Sequence, residues 1–415
     1  MLKCVGYTFG NIYHPFLHRL RVNQMRKKRR KEISLRIQNE NIVSKSLSRK
    51  KRIYADVTDV FFNDKGTGIQ RVVKNISENL KVLTHTYDFI EVYYRDGKYF
   101  ACENNNEIDF CRGDIFFLLD QPMSAIYECS DFFEALKAGG VKTVSFFFDL
   151  IPVTKPQFCD RGYVKDFNHF LRVVLNFSHL ICDSSAVSDE LKEYIKNTPK
   201  LKHNSDIKIS YALLGSDFSI LPRPLLTSQK KRDVKSEINF LMVSTVEPRK
   251  MYAQAVKAFD MLWKEGLSVN LWIVGRRGWK NETTFRLIEE NTHYGKELVW
   301  YSTGISDEEL ASLYEKCDAV IFASVAEGFG LAVAEGAHFG KPLILRDIPV
   351  FREIAGNNAF YFSGTDESIL AGKIKEWISL YKTSKEPKST NIKLTSWKEC
   401  SQKVLDLLTG NGEKS

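Results

Sequence analysis

From Ile53 onward the chain alternates short apolar runs with stretches whose apolar residues recur three and four positions apart. That alternation predicts β-α units assembling into a largely parallel sheet. Ile53 to Val57 reads as the first strand. Gly66 and Gly68 then break the chain before Ile69, Val72, Val73, Ile76 and Leu80 mark one face of a helix. Ile115 to Leu119, Val141 to Phe148 and Leu180 to Asp183 read as further strands. Periodicity fades between Ser216 and Ser236, where Pro222, Pro224 and a polar run stand, and a linker is placed at 226–236. The same grammar then restarts. Strands are predicted at Phe240 to Val243, Val269 to Val274, Leu298 to Tyr301, Ala319 to Ala323, Leu343 to Leu345 and Phe360 to Phe362, with a helix over Ala253 to Trp263. Ser306 followed three residues later by Glu309 is a capping box opening another helix. The expectation is a basic extension over 1–52, an αβα domain over 53–225, the linker, a second αβα domain over 237–390, and a terminal helix and tail over 391–415. Two open parallel sheets facing each other make a cleft, and ligands of such sheets bind at the carboxyl ends of the strands.

Two segments at predicted strand ends carry candidate chemistry. In Ser324 to Glu335 the chain passes Glu327, Gly328, Phe329, Gly330 and Leu331 just after a strand and at the start of a helix. Glycines there let backbone amides face an anion at the helix start, and Glu335 lies little more than a turn further on. In Ser244 to Lys250, Arg249 and Lys250 supply a planar cationic fork and a compact cation, a suitable pair for a diphosphate. A glutamate pair or an Arg-Lys pair taken alone is ordinary solvated surface; the place at a strand end is what separates these from that reading.

Taken together, Glu327 and Glu335 with seven residues between them, Glu247-Pro248-Arg249-Lys250 and Gly304-Ile305-Ser306-Asp307-Glu308-Glu309-Leu310 resemble glycosyltransferase family 4. So do Asp56-Val57-Thr58, Thr67-Gly68-Ile69-Gln70-Arg71, Gly113-Asp114-Ile115-Phe116, Asp149-Leu150-Ile151-Pro152 and Leu214-Gly215-Ser216-Asp217 in the first half. The branch resembled is the bacterial one that builds O-antigen and other surface polysaccharides, often with mannose or rhamnose as donor sugar, and the likeness runs over roughly residues 52–408. It implies the GT-B fold: two Rossmann-like αβα domains around a central cleft, with the C-terminal helix returning to the first. It also implies a retaining transfer from a nucleotide-sugar donor, a co-substrate rather than a cofactor, to a lipid-linked oligosaccharide acceptor. Glu335 would meet the ribose hydroxyls and Glu327 the transferred sugar, Arg249 and Lys250 would hold the diphosphate, and Phe329, Gly330 and Leu331 would offer amides. Gly275, Arg276 and Ile305 join the donor-binding set, with Gly66, Gly68 and Arg71 approaching from the first domain. Many relatives carry His where this chain has Phe148, so Asp149 and Asp120 become the candidate acceptor-side carboxylates. A departing phosphate can itself take the acceptor's proton, so that exchange leaves the chemistry available. A catalytically inactive relative acting as an assembly partner and a nucleotide-sugar epimerase stay open as alternatives.

Composition adjusts the picture in one place. The chain has 415 residues with 60 Lys and Arg against 51 Asp and Glu. Residues 1–52 alone hold 15 basic and 2 acidic side chains, a net of +13, so residues 53–415 carry 45 basic and 49 acidic, a net of −4. A protein that grips nucleic acid would spread its charge over the folded body, so no nucleic-acid partner is expected. The extension reads equally as a solvated charge run and as a surface for anionic lipid. No membrane span or signal peptide is expected, and eight cysteines without a CxxC pair fit reduced thiols. These point to a cytoplasmic protein, and the lipid-linked acceptor that the resemblance implies would place it peripherally on the cytosolic face of the inner membrane. No metal site is expected either, since no Asp-x-Asp occurs in the chain.

Overall fold

The computed structural model describes residues 49–217 and 237–411. The basic extension through residue 48 and the linker assigned to 226–236 lie outside the described residues. The first half is a sheet of seven strands: β1 (Arg52–Asp56), β2 (Asp88–Arg95), β3 (Lys98–Ala101), β4 (Ile115–Leu118), β5 (Lys142–Phe147), β6 (His179–Cys182) and β7 (Lys208–Tyr211), in the order β3-β2-β1-β4-β5-β6-β7. Every pairing is parallel except β2 with β3. The second half is an all-parallel sheet of β8 (Ile238–Val243), β9 (Val269–Val274), β10 (Leu298–Tyr301), β11 (Ala319–Phe322), β12 (Leu343–Arg346) and β13 (Phe360–Phe362), ordered β10-β9-β8-β11-β12-β13. That is the doubly wound dinucleotide-fold order, whose strand order reverses between β8 and β11 and opens a crevice there.

The apolar runs are fully buried because helices cover both faces. Ile115, Phe116, Phe117 and Leu118 alternate between two cores, Phe116 and Leu118 on one face, Ile115 and Phe117 on the other. The hairpin β2-β3 and the strand β7 add to the predicted set. The hairpin turns at Asp96 and Gly97, both with positive φ (49° and 83°), the geometry that a two-residue hairpin favours.

The helix Trp397–Thr409 returns to the first domain. Trp397, Cys400, Val404 and Leu408 bury themselves with Val72, Ile76 and Leu80 of the helix Gly68–Leu83, each large apolar side chain contributing on the order of 2 kcal/mol. Gly215 is required at this junction, because a Cβ there would lie 2.4 Å from the Trp397 nitrogen. At the other end of the domain, Arg49 donates to Asp114 Oδ2 at 2.7 Å and the Arg52 amide to Asp114 Oδ1 at 3.1 Å. Residues 49–52 are thus built into the first domain, and Arg52 opens β1, one residue before the expected start at 53. Among the described residues no helix is long and apolar enough to cross a membrane.

The halves touch closely at the cleft floor. Ser184 Oγ donates to the Gly328 carbonyl at 2.8 Å, and a Cβ on Gly328 would fall 2.1 Å from the Phe148 carbonyl oxygen. The Glu353 carboxylate accepts from the Ser185 and Ala186 amides at 2.8 and 2.9 Å, so the second domain supplies the anion at the N-terminus of the helix Ser185–Asn197.

Candidate active site

The turn after β8 and the turn after β11 meet where the second sheet's order reverses. Pro248 to Lys250 form one 3-10 turn, and Met251 takes a left-handed conformation to start the helix Tyr252–Lys264. The Val325 amide donates to the Arg249 carbonyl at 2.9 Å and Arg249 Nη1 to the Ala326 carbonyl at 3.0 Å, which locks the two turns together. Glu327 is the shared counter-ion. Arg249 Nη1 reaches its Oε2 at 2.7 Å and Lys250 Nζ its Oε1 at 2.5 Å.

The charges in this cluster are strongly coupled. Burial works to raise the Glu327 carboxyl, but the two cations outweigh it and hold its pKa down to about 2. Burial would lower the Arg249 guanidinium, and Glu327 and Glu247 reverse that, raising it. Lys250 goes the other way: burial and the neighbouring Arg249 lower it despite Glu327. Asp149 and Glu247 stand within reach of the same cations, yet burial prevails and both carboxyls are raised. Phosphate charge reaching Arg249 and Lys250 therefore has to share them with Glu327.

Directly after Glu327 the chain makes the helix Leu331–His338, with Gly330 at its N-cap in the left-handed region (φ 90°) and no side-chain cap. The helix start offers its first amides and the positive end of its dipole to the cleft. Glu335, 4% exposed, accepts from Tyr314 Oη at 3.1 Å and is ion-paired with Arg71 of the first domain.

Packing and hydrogen bonds place the remaining candidates. Gly68 lies beside Leu331, Arg276 Nη1 donates to the Lys65 carbonyl at 3.0 Å, and Gly66 turns with φ 64°. Gly275 is dictated by packing, since a Cβ would sit 1.8 Å from the Ser244 carbonyl oxygen. Ile305 packs, partly buried, on the second domain's core, next to Gly304, whose Cβ position would be 3.3 Å from Arg276. Arg71 is thus held at Glu335, and it is Arg249 and Lys250 that share Glu327. Phe148 is core: it is 4% exposed, with its ring 5.2 Å from that of Phe146, and Phe329 shares the same cluster. Asp120 lies apart at the end of β4, its carboxylate taken by the Val60 and Gln121 amides at 2.8 Å each. Tyr314, Ser184 and Glu353 belong to the same cleft, and nothing local in the sequence distinguishes them.

A cleft between two doubly wound sheets, with cations, a carboxylate and a helix start at the reversal point, defines the GT-B fold. Residues 226–394 match the family described as Glycosyl transferases group 1. The chain is 32% identical over 375 residues to the serotype-specific mannosyltransferase WbdA of Escherichia coli, covering 86% of this chain and 46% of that protein. It therefore spans under half the length of that relative. It is also 23% identical over 271 residues to O-antigen chain mannosyltransferase B of Escherichia coli, covering 64% of this chain and 69% of the relative. A glycosyltransferase from Rickettsia africae superposes with a TM-score of 0.57 at 18% identity, covering 88% of this chain and all of that one.

Proposed function

We propose that the chain is a retaining, metal-independent glycosyltransferase. It moves a hexose or deoxyhexose, mannose or rhamnose foremost, from a nucleotide sugar to a lipid-linked oligosaccharide in bacterial surface polysaccharide synthesis. The observation that carries the reading is the Arg249, Lys250 and Glu327 cluster at the reversal point of the second sheet, beside an uncapped helix start. The mannosyltransferase names of the relatives support the choice of sugar.

In this reading the bond from the anomeric carbon to the diphosphate oxygen breaks, and its electron pair stays on the phosphate. Arg249 and Lys250 neutralise that growing charge, and the helix-start amides add to them, so the stabilisation rises toward the transition state. Glu327, released in part from the cations, turns to the sugar hydroxyls. The acceptor hydroxyl attacks the same face of the sugar, and its proton passes to the departing phosphate oxygen. Glu335 exchanges Arg71 for the ribose hydroxyls. Asp149 lines the acceptor side.

The eleven basic residues of 1–48 would hold the enzyme on anionic lipid at the cytosolic face of the inner membrane, each contributing on the order of 1 kcal/mol near the surface. Full-length protein should then sediment with anionic vesicles at low salt and be released at high salt; a chain starting at Arg49 should do neither. The function itself is tested by incubating the protein, with EDTA present, with GDP-, UDP- and dTDP-linked sugars and a lipid-linked acceptor. Transfer with the donor's anomeric configuration kept in the product is expected. Transfer that needs added manganese or magnesium, or an inverted product, would overturn the mechanism; no transfer from any donor would overturn the assignment.

A further inference from the structure

A second set of side chains lies next to the Arg249 centre. The strip after β9 is laid along the turn after β8: the Val246 amide donates to the Arg276 carbonyl at 2.9 Å and the Gly278 amide to the Val246 carbonyl at 3.2 Å. Gly278 presses on Glu247 so closely that a Cβ would come within 2.6 Å of its Cγ. Trp279 follows at once and reaches across the cleft. Its indole nitrogen donates to the Phe158 carbonyl at 3.1 Å, and Lys280 Nζ donates to the Cys159 carbonyl at 2.9 Å. The ring of Tyr163, from the first domain, stands 6.4 Å from that of Trp279 and tilted by 37°.

The polar groups here have unused capacity. Glu247 is 6% exposed, and its Oε2, although 3.3 Å from Arg249 Nε, has no hydrogen-bond partner among the described residues. Tyr163 is 37% exposed and Trp279 41%. The Tyr163 hydroxyl likewise has no partner among the described residues, and burial, with Asp149, Cys159 and Glu247 nearby, raises its pKa.

We infer that Glu247, Tyr163 and Trp279 form the subsite for the terminal sugar of the acceptor, a neutral pyranose; this rests on the transfer reading above. Two inclined aromatic faces suit the C–H faces of a sugar ring, and a carboxylate and a phenol with free valence suit its hydroxyls. A phosphate would meet Glu247 and Asp149 as like charges, and a purely apolar ligand would leave Glu247 desolvated without a partner. The neutral polyol is the class that satisfies both.

The test uses the full chain with Tyr163→Phe, Trp279→Ala and Trp279→Phe, the last keeping a ring while losing the bond to Phe158. Saturation-transfer NMR reads the binding of methyl α-mannoside and methyl α-rhamnoside, and initial rates read the Michaelis constants for acceptor and donor. Tyr163→Phe should raise the acceptor KM about three- to tenfold, the worth of one neutral hydrogen bond. Trp279→Ala should raise it about tenfold or more and abolish the saccharide signal, and Trp279→Phe should recover most of both. The donor KM should move by less than about twofold in each, which a merely structural loss would not spare. Unchanged acceptor KM and unchanged saccharide binding in Tyr163→Phe and Trp279→Ala would overturn the subsite while the transferase stood. Failure of Trp279→Phe to recover would overturn the stacking role. Saccharide binding that depends on Trp279 in a protein that transfers from no donor would support the subsite and remove the transferase reading.

Discussion

Replacing Glu327 with Gln keeps the shape of the side chain and removes the one charge shared by Arg249 and Lys250. The native carboxylate holds a pKa of about 2 against 4.5 in an unfolded chain, although burial alone would raise it. A pKa depressed on folding contributes stability that is complete above pH 4.5 and is lost as pH falls from 4.5 through about 2. The gap of two to three units corresponds to roughly 3 kcal/mol. The cost of leaving a buried ion-pair partner alone, about 3–5 kcal/mol, is of the same size. For a domain of this size, Glu327→Gln should unfold about 6–12 °C below the native protein at pH 7. In urea its midpoint should fall without a change in slope, and the difference should close as pH drops below 4. A second signature has the opposite sign. With its internal competitor gone, inorganic pyrophosphate should stabilise Glu327→Gln more than it stabilises the native protein, while transfer collapses. Equal unfolding temperatures at pH 7 together with equal pyrophosphate effects would refute the account of Glu327 as the resident counter-ion.

Glu335→Ala should raise the donor KM more than it lowers kcat, since ribose contacts are alike in ground and transition states; steady-state rates with varied donor check this, and an unaltered donor KM would remove Glu335 from the nucleotide. Burial raises the Asp56 carboxyl to about 7, against hydrogen bonds from Thr58 and Tyr99 that pull it down. Folding therefore loses stability as pH climbs from 3.8 to about 7, by up to about 4 kcal/mol. Urea titrations of native and Asp56→Asn proteins should diverge over that window, and parallel curves would show that Asp56 ionises normally. Gly372 lies within the helix Glu367–Lys382 with open space around its Cβ position, so Gly372→Ala should add about 0.5–1 kcal/mol. Gly328→Ala instead meets the Phe148 carbonyl and should cost about 1–3 kcal/mol while loosening the cleft floor, read as a lower melting temperature and a larger radius in small-angle scattering.

Much of the architecture was legible because its signals are local. A strand buried on both faces has to be apolar throughout, and a helix covering it has to repeat at three and four, so the two halves of the chain announced themselves. The Ser306 capping box formed as expected, with the Ser306 amide donating to Glu309 at 2.9 Å and the Glu309 amide to Ser306 Oγ at 3.2 Å, because both partners lie within one turn. The hairpin at Asp96 and Gly97 carried an equally local signal, the turn dipeptide, and could have been read from it. Glu327, Arg249 and Lys250 stood out because strand ends of a doubly wound sheet are where chemistry collects, and the fold brings them into contact across 77 and 78 residues.

What the chain order could not determine is which distant groups meet. Arg71 and Glu335 are 264 residues apart and become an ion pair only because the halves close on each other. Phe148 reads alike as a site residue or a core residue until packing against Phe146 settles it. Glu247 is marked by the motif it opens, but Tyr163 and Trp279 carry no signal of their own, and the three acquire a shared role only where two domains face each other. Local pattern governs which elements form, since backbone hydrogen bonds and side-chain periodicity act over a few residues. The site depends on side chains delivered from separate strand ends, and only the tertiary structure decides that encounter.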